Sequence, residues 1–563
     1  MRILAGALGD CVHVAGVTHF LALAQAMGHE THFTGPATDA ETWAEIAREF
    51  QPDVIGVSYR LTPENARRML ADFWDVMRAA GLGDRTFVFG GTPPVAAIAR
   101  EMGIFAAIFD GSEAPTAVVR YLRGEGDAGT GAAMPPQTAV ERIRWKTPYP
   151  LLRHHFGIPA RTIEPTVEGI ARIAESEVLD VISLGPDQDA QANFFHPDLQ
   201  SPSRAGAGGV PIRSAADLER LYAASRRGNY PLVRSYSGTS DLLRYAELLT
   251  ETIANAWCAT SLFWFNAMDG RGPLSLEASI RDHQALMAWH GERDIPVEGN
   301  EPYHWGMRDA PDVISVAASY LYAHSARVHG VRDYITPYMF ESPPLLSNRM
   351  DLAKALAQIR VAEAVFLGGQ RFDNAAFAAG PPPVSGESPR RIWRQTRTGL
   401  LSYPVDPARA RAHLAESVYV QMALRPHIVH VVGYCEADHA ATAEEVIESA
   451  VMAQQVIETA LAGQPEMAHD ARVRERAEAL VSEALVLVAA INQLGEGQSA
   501  DPLAHAPTLA RAVEVGLLDS PQLQRNPFAR GVIRTRAIDG AVVAVDDAGR
   551  PLAERDRIRS LGM

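Results

Sequence analysis

Strand-like and helix-like hydrophobic patterns alternate five times over residues 1–123. Short apolar runs such as MRILAGAL, PDVIGVSYR and TFVFGG are each followed by a segment with apolar residues at every third or fourth position. Short apolar runs predict buried strands, and the longer spacing predicts amphipathic helices. The pattern therefore predicts an α/β domain with a doubly wound, flavodoxin-like (Rossmann-like) parallel sheet.

A second set of β/α repeats follows a stretch rich in glycine, alanine and proline. Residues 124–164 open with GEGDAGTGAAMPPQ, and we expect them to form a linker. Over residues 165–440, six apolar strand candidates, from VLDVISLG to HIVHVVGY, are separated by amphipathic helices. This repetition favours a (β/α)8 TIM-type barrel over a second open sheet. Residues 441–563 predict two long helices and a short β tail.

Composition narrows the possible functions. The 563 residues are 47% hydrophobic and 21% charged, with a net charge of −15. An acidic surface repels phosphate backbones, so we expect no nucleic-acid partner. No stretch reaches the ~20 apolar residues of a membrane span, and the first residues do not resemble a secretory signal, so we expect a cytoplasmic protein without membrane contact. The three cysteines lie far apart, which excludes a disulfide framework and a CxxC-type zinc site.

Small residues and a histidine follow three of the predicted N-terminal strands. Ligands of open α/β sheets bind at the carboxyl ends of the strands, so we expect these loops to converge. The small residues leave room for a large flat ligand, and an imidazole is a common metal ligand. The residues after the first, third and fourth strands are Asp10, His13 and Gly16, then Ser58, and then Gly90 and Gly91.

These loops resemble the cobalamin-binding domain of B12 enzymes. That family carries D-x-H-x-x-G after the first strand, S-x-L after the third and G-G after the fourth. Here His13 and Gly16 match the first motif, Ser58 the second, and Gly90 and Gly91 the third. The resemblance implies that His13 displaces dimethylbenzimidazole from the cobalt of cobalamin. It further implies that the nucleotide tail threads between the sheet and its helices.

Two positions depart from the cobalamin-binding pattern. Asp10 lies one residue too early relative to His13, and Leu61 lies one residue too late relative to Ser58. The resemblance still implies that both line the cofactor site. A carboxylate on the second imidazole nitrogen orients a metal-ligating histidine. We therefore expect Asp10 to serve His13 if it reaches that nitrogen.

The barrel region resembles the catalytic subunit of glutamate mutase (methylaspartate mutase). The best-matching run is GPLSLEASIRDHQALMAWHGERDIPVEGNEPYHWG, and PLVRSYSGTSDLLRYAEL resembles the strand whose arginine binds the substrate carboxylate. The resemblance places Arg234 in that role. In CATSLFWFNAMDGRG, that family carries a catalytic glutamate in a glycine-rich run and then tyrosines. This sequence has Thr260, Phe265, Asn266 and Asp269 there instead. The departure predicts a small carboxylate-bearing substrate other than glutamate.

Barrel active sites gather at the carboxyl ends of the strands. A buried arginine is costly unless it pairs with a carboxylate, which favours Arg234 as the substrate anchor. We expect Glu301 or Asp269 to act as acid or base or to bind an amino group. Asp438 and His439 offer two metal donors, but no spacing completes a site around them. The candidate catalytic residues are Arg234, Asn266, Asp269, Glu301 and His304.

The predicted function is that of an adenosylcobalamin-dependent radical isomerase (mutase). A corrinoid methyltransferase and a B12 sensor are alternatives, but both use a helical cap, for which we expect no room before the first strand. A methyltransferase would also need a zinc–thiolate set, and a sensor usually adds a DNA-binding module. A pyridoxal-phosphate aminomutase would require Lys146 or Lys354 as its Schiff-base residue. With both modules in one chain, we expect a homodimer formed through the C-terminal helices.

Overall fold

The chain divides into two compact units, a sheet domain and a barrel. The sheet domain comprises residues 1–134, 146–149 and 457–464, and the barrel unit comprises 135–145, 150–456 and 465–563. The structure is a computed structural model. It describes residues 1–113, 116–125, 134–235, 241–264, 275–340, 348–368, 390–400, 403–463 and 466–563.

The sheet domain contains five parallel strands in the order β2-β1-β3-β4-β5. This is the flavodoxin-like order, in which the strand sequence reverses between β1 and β3. The centre of the sheet is apolar because strands covered on both faces bury every side chain. The fold predicted for this region is confirmed. The strands are β1 Arg2–Ala7, β2 Glu30–Phe33, β3 Val54–Tyr59, β4 Thr86–Gly91 and β5 Ala107–Phe109.

In the described part of this unit, five helices accompany the strands, and local capping fixes where two of them begin. The Asp39 side chain accepts a hydrogen bond from the Thr42 amide, which satisfies a free donor of the second helix. Thr62 accepts from Asn65 in the same way, with Pro63 at the first helical position. The helices are α1 Ala15–Ala26, α2 Ala40–Phe50, α3 Pro63–Ala79, α4 Pro93–Met102 and α5 Thr116–Leu122.

The main sheet of the second unit has eight parallel strands in the described residues, in the order β8-β7-β6-β13-β12-β11-β10-β9. Because β6 pairs with β13, the sheet curls into a nearly closed barrel whose seam in the described residues lies between β8 and β9. This confirms the predicted (β/α)8-type architecture. The strands are β6 Leu151–Phe156, β7 Val181–Leu184, β8 Leu232–Arg234, β9 Cys258–Thr260, β10 Val297–Gly299, β11 Asp333–Phe340, β12 Arg391–Thr398 and β13 Ile428–Val431.

The barrel helices and the C-terminal helices share one hydrophobic core. Residues such as Leu321, Leu356 and Leu480 are fully or almost fully buried in it. The C-terminal segment predicted as a separate region thus folds as part of the barrel unit. The helices are α6 Ala139–Lys146, α7 Glu164–Glu175, α8 Gln188–Ala192, α9 Ala215–Ala224, α10 Leu242–Ile253, α11 Leu276–Gly291, α12 Glu301–Gly306, α13 Asp312–Val328, α14 Asn348–Leu367, α15 Pro407–Gln421, α16 Ala443–Ala462, α17 Ala471–Leu494, α18 Ala506–Glu514 and α19 Glu554–Ser560.

The barrel begins earlier than its hydrophobic pattern predicts. The first strand, β6, lies inside the segment 124–164 that the composition assigns to a linker. Its sequence, LLRHHF, carries three basic or aromatic-polar residues, so it does not form an apolar run. Strand β12, RIWRQTRT, likewise has no apolar run, so the hydrophobic pattern does not predict it. Both strands direct polar side chains into the barrel, where they meet partners rather than water.

Two features complete the C-terminal region. Strands β14 Thr535–Ile538 and β15 Ala541–Ala544 form an antiparallel hairpin, which confirms the predicted β tail. Helix α17 is long and apolar enough to cross a membrane by length and composition. Core helices pass the same test, and α17 buries Val473, Leu480 and Leu487 within the described core. The helix is therefore weak evidence for a membrane span.

Candidate functional site

A cavity of about 340 Å³ opens at the carboxyl ends of the central strands of the sheet domain. Its size falls in the range of ~300–1,000 Å³ that ligand pockets occupy. The loops after β1, β3 and β4 converge on it, as the fold requires. Four of the residues predicted to bind a cofactor line it together, namely Gly16, Ser58, Gly90 and Gly91.

The glycines of this cavity serve two different purposes. A Cβ atom on Gly16 or Gly90 would meet no other atom within 4 Å, so these positions leave open space. A Cβ on Gly91 would lie 2.6 Å from the Tyr59 carbonyl oxygen, and one on Gly56 would lie 2.9 Å from Ala5. The second pair therefore permits close packing of the sheet, whereas Gly16 and Gly90 keep the cavity empty of protein.

One wall of the cavity is polar and was not predicted from the sequence. A ring nitrogen of His19, on α1, lies 2.7 Å from the Tyr149 hydroxyl, and Glu458 also lines this wall. Burial lowers the pKa of His19, and the Glu458 carboxylate partly offsets that effect. Burial likewise raises the pKa of Tyr149, with a further contribution from Glu458. The three residues come from distant parts of the chain, so no local motif reveals them.

The loop after β1 is anchored at one end and exposed at the other. Asp10 accepts a hydrogen bond of 3.1 Å from the Tyr59 hydroxyl. Burial, followed by this bond, raises the pKa of Tyr59 to about 12. The Cys11 side chain is completely buried, whereas His13 is exposed, with its Nδ1 4.0 Å from the Cys11 sulfur. Pairing of Asp10 with His13 therefore stays a prediction, because in this structure Asp10 bonds to Tyr59.

Leu61 takes a different place from the other predicted cofactor residues. Its side chain is partly buried and packs against the hydrophobic core of the sheet domain. Leu61 does not appear among the described residues that line the cavity. Leu61, which lies one residue later than the motif requires, therefore packs against the core in this structure. Contact of Leu61 with a cofactor stays a prediction.

A second cavity, of about 500 Å³, occupies the interior of the barrel and contains a buried ionic network. Arg153, on β6, donates from Nη1 to both oxygens of Glu298 at 2.9 Å and to Gln395 at 2.8 Å. Gln395 and Trp257 also donate to Glu298, at 2.8 and 2.7 Å. Burial alone would raise the pKa of Glu298, but the arginines Arg153 and Arg234 outweigh it and lower the value to about 2. Glu298 is therefore an ionised carboxylate.

Arg234 lies at the end of β8, where the sequence predicts the substrate anchor. Its Nη1 is 3.4 Å from Glu298, and its guanidinium stands 5.7 Å from the Trp257 ring centre. Its Nε and Nη2 are buried and have no hydrogen-bond partner among the described residues. A buried guanidinium with two unused donors is costly unless an acceptor binds there. The donors suit a carboxylate, which arginine binds in a bidentate manner.

Buried histidines surround this network without adding charge to it. His154, His155 and His430 all line the cavity. Burial lowers the pKa of His154 to about 4, and burial together with Arg153 lowers those of His155 and His430 well below the usual value. These imidazoles are neutral near pH 7. Since Glu298 neutralises only one of the two guanidiniums it contacts, the network of Arg153, Arg234 and Glu298 retains a positive charge.

Glu301 and His304 meet through a serine. The Ser261 hydroxyl lies 2.9 Å from Glu301 Oε2 and 2.9 Å from His304 Nδ1. Glu301 also accepts from the amides of Leu262 and Phe263. Burial raises the pKa of Glu301 to about 7, although these hydrogen bonds oppose the shift. His304 and Ser261 line the cavity and Glu301 lies behind them, so Glu301 positions the other two in this structure.

Two of the predicted catalytic residues lie outside the described residues, and five polar residues of the barrel cavity were not predicted. Asn266 and Asp269 lie outside the described residues. The polar centre of the barrel depends on residues that the sequence did not single out. The available signal was the alternation of polar and apolar positions within a strand, which marks side chains that point into a barrel. The missed residues are Arg153, His155, Glu298, Gln395 and His430.

Comparison with known proteins defines the class of the first unit. Residues 1–119 match the family model of the B12-binding domain. They form a cobalamin-binding domain, and cobalamin is the cofactor. Residues 395–560 match the family described as methylaspartate mutase E chain (MutE). The chain is thus a fusion of a B12-binding domain and a segment similar to the mutase E chain, as the sequence predicts. The two matches support a cobalamin-dependent enzyme.

Similar solved structures include the cobalamin-dependent S-adenosylmethionine radical enzyme OxsB. The apo form is 11% identical, with 81% of this chain and 56% of that chain covered and a TM-score of 0.17. The form with aqua-cobalamin bound is 10% identical, with the same coverage and a TM-score of 0.18. The chain thus spans about half the length of these structures. No curated protein matches the chain.

The sheet-domain cavity fits the nucleotide tail of cobalamin. The open space beside Gly16 and Gly90 gives room for a flat base, and Ser58 offers a hydroxyl at the same edge. Phe20 and Phe109 provide apolar surface within the cavity. His13 is exposed, so its imidazole is accessible to the cobalt of a corrin. The residues present therefore suit the cofactor that the family match implies.

Proposed function

We propose that this chain is an adenosylcobalamin-dependent isomerase of the mutase type, acting on a small substrate that bears a carboxylate. The observation that carries the proposal is that Nε and Nη2 of Arg234, in a positively charged barrel cavity, have no hydrogen-bond partner among the described residues. The match of residues 395–560 to the mutase E chain supports the reaction class. The differences in the loop around Asn266 and Asp269 favour a substrate other than glutamate.

Arg234 binds the substrate carboxylate through Nε and Nη2 in this proposal. The Glu298 carboxylate lies 3.4 Å from Nη1 of this guanidinium, and Arg234 is among the residues that line the cavity. Arg153 holds Glu298 in turn, which keeps the binding group rigid before the substrate arrives. A preorganised, charge-assisted contact of this kind orients the substrate and excludes water.

His304 is the group best placed to move a proton. It lines the cavity, and Ser261 connects it to the buried carboxyl group of Glu301. A carboxyl group whose pKa is about 7 exchanges a proton readily near neutral pH. Glu301 therefore acts as a positioning residue that sets the protonation of His304 through the Ser261 hydroxyl. Asp269 remains a proposed acid or base as well.

The sheet domain holds the cofactor in this proposal. His13 would ligate the cobalt, while Gly16, Ser58, Gly90 and Gly91 would surround the nucleotide tail. Adenosylcobalamin supplies, when bound, the radical that removes a hydrogen atom from the substrate. The protein's own contribution is to bind and orient the substrate and to exclude water. We further propose a cytoplasmic homodimer that forms through the C-terminal helices.

The direct test is electron paramagnetic resonance of cob(II)alamin bound to protein labelled with ¹⁵N-histidine, prepared without oxygen. If His13 ligates cobalt, the triplet splitting of each cobalt line by ¹⁴N becomes a doublet on labelling. The variant His13→Ala loses this labelling effect, whereas His32→Ala, which changes an exposed histidine of β2, keeps it. A spectrum that labelling does not change, or a protein that binds no corrinoid, would refute the assignment.

The reaction class needs a separate measurement. The holoenzyme is mixed anaerobically with small amino acids and dicarboxylic acids, and the cob(II)alamin absorption is recorded over time. A substrate of the proposed class produces this absorption together with a rearranged product. Product formation by methyl transfer from a methyl donor, without any rearranged product, would contradict the proposal.

A further inference from the structure

The loop after the last barrel strand brings together three groups that bind metals. Cys435, His439 and Glu445 each offer one ligand atom, and these atoms all lie within 4.8 Å of one another. The spacing is Cys-x3-His-x5-Glu, with Glu445 in the first turn of α16. Thiol, imidazole and carboxylate are the three ligand types of protein zinc sites. The set has no recognisable sequence motif, because it contains a single cysteine and a single histidine.

The imidazole of His439 lies between two carboxylates. Its Nδ1 is 2.8 Å from Asp438 Oδ2, and its Nε2 is 2.9 Å from Glu445 Oε1. One ring nitrogen thus faces Asp438 and the other faces Glu445. If Nε2 binds a cation together with Glu445, Nδ1 keeps its N–H and donates to Asp438. In zinc sites, a carboxylate commonly accepts the second N–H of a metal-ligating histidine and so fixes the orientation of its ring.

The other two ligands are held in place before any metal binds. Glu445 Oε2 accepts from the amide and hydroxyl of Thr442, both at 2.9 Å, which leaves Oε1 directed at His439. Cys435 is only 6% exposed, and its backbone carbonyl accepts from the amides of Asp438 and His439. Ligand atoms on tetrahedral zinc lie about 3.3–3.8 Å apart, since Zn–N and Zn–S bonds are about 2.0 and 2.3 Å. The observed spread therefore needs only small movements to admit an ion.

We propose that Cys435, His439 and Glu445 bind a zinc ion at the rim of the barrel cavity, with the fourth position open to water or to a substrate nitrogen or oxygen. His439 lines the cavity, as do Ala440 and Ala441 beside it, so the open position adjoins the space in which a substrate would bind. Three protein ligands and one exchangeable position are typical of catalytic zinc. On binding, the Cys435 thiol releases its proton and ligates the metal as a thiolate. The site does not depend on cobalamin.

The test uses the full-length protein freed of corrinoid and of metal, so that it is independent of the proposed isomerase activity. The protein is loaded with one equivalent of Zn²⁺ in competition with a chromophoric chelator, and bound zinc is measured by mass spectrometry after gel filtration. We expect about one zinc per chain. We expect His439→Ala and Cys435→Ala to weaken zinc binding at least 100-fold, and Asp438→Asn to weaken it about 10-fold to 100-fold.

Matched controls separate loss of the site from loss of the fold. Cys258→Ala removes another buried cysteine of the barrel unit, and His469→Ala removes another exposed histidine, and both should bind zinc like the wild type. Co²⁺ provides a second readout, because a thiolate ligand gives a near-ultraviolet charge-transfer band that Cys435→Ala should abolish. His439 is half exposed, so His439→Ala decides the question even if Cys435→Ala folds poorly. Substoichiometric zinc in the wild type, or wild-type affinity in His439→Ala, overturns the proposal.

Discussion

The two cavities of this chain achieve binding by opposite physical means. In the sheet domain, Gly16 and Gly90 leave space, and the surrounding surface is largely apolar. In the barrel, Arg153, Arg234 and Glu298 fill the interior with buried charge. The first cavity offers open space, which suits a flat base. The second offers buried charge, and its groups were removed from water when the chain folded.

This difference makes the two cavities sensitive to different changes. Buried ions are expensive to desolvate, so their arrangement is stable only as a complete set. Removing one partner from the barrel network should therefore affect folding as well as binding. Adding volume to the sheet-domain cavity should affect binding alone, because the space is already present in the protein without its ligand. Four predictions test this contrast.

The largest effect is expected for Glu298→Gln in the barrel. The change leaves the guanidiniums of Arg153 and Arg234 buried without their counterion, which should lower the free energy of unfolding by about 3–5 kcal/mol. Urea unfolding followed by tryptophan fluorescence measures the loss. Glu292→Gln, on an exposed side chain, should change it by less than about 0.5 kcal/mol. Equal stability of the two variants would show that the network contributes little to folding.

Acid should destabilise the barrel through two buried histidines. Burial lowers the pKa of His283 and of His290 to about 4 in the folded chain, against about 6.5 when unfolded. The unfolded chain therefore binds more protons below pH 6.5, and stability is lost as the pH falls from 6.5 towards 4. Each group accounts for about 3 kcal/mol over that range.

The variant His283→Gln isolates one of these contributions. It should flatten the dependence of unfolding free energy on pH between 6.5 and 4, whereas His469→Gln should leave it unchanged. Urea titrations at half-unit pH intervals provide the measurement. The same slope in His283→Gln and the wild type would mean that His283 is protonated in the folded protein.

Arg234→Met should impair the reaction without impairing cofactor binding. Loss of a charge-assisted contact with the substrate carboxylate should lower kcat/KM about 100-fold, which corresponds to ~2.7 kcal/mol. The affinity for cobalamin, measured by absorption titration, should stay within about twofold of the wild type. Arg227→Met, on an exposed arginine, is the matched control. If Arg234→Met keeps wild-type kcat/KM, Arg234 does not bind the substrate.

Gly90→Leu should produce the converse result. Its side chain would project into the open space of the sheet-domain cavity and compete with the nucleotide tail, so the Kd for cobalamin should rise about 10-fold, or ~1.4 kcal/mol. The unfolding free energy should stay close to that of the wild type. Gly463→Leu, at a second glycine with open space around it, should bind cobalamin normally. Unchanged affinity in Gly90→Leu would place the ligand elsewhere.

The sequence predicted the two regions unequally, for a physical reason. The sheet domain has strands such as VIGVSY that are buried on both faces, so its apolar runs are continuous and its fold follows from them. Its cavity residues Ser58, Gly90 and Gly91 stand directly at strand ends, where a motif finds them. His19, Tyr149 and Glu458 meet only after folding, and no local pattern records their proximity.

In the barrel, the strands that matter most were the hardest to predict. Strands β6 and β12 place charged and polar residues such as Arg153 and Gln395 inside, so a search for apolar runs overlooks them. Their polar groups are tolerable in the interior because Glu298, on a third strand, satisfies them. Arg153 and Gln395 lie 145 and 97 positions from Glu298 along the sequence. They contact Glu298 only because the barrel brings their strands together. Arg234 was found because a resemblance, and not periodicity, pointed to it.

The contacts that hold the loop after β1 limit how far the His13 side chain can move. Tyr59 fastens Asp10, the fully buried Cys11 fixes the next position, and α1 begins at Ala15. His13 thus lies in a segment of a few residues whose two ends are held in place. A segment this short confines the ring to a small volume, which raises its effective concentration at a nearby cobalt ion. If His13 ligates the cobalt as proposed, the replacement of the axial base by His13 would be an intramolecular step whose rate is independent of protein concentration.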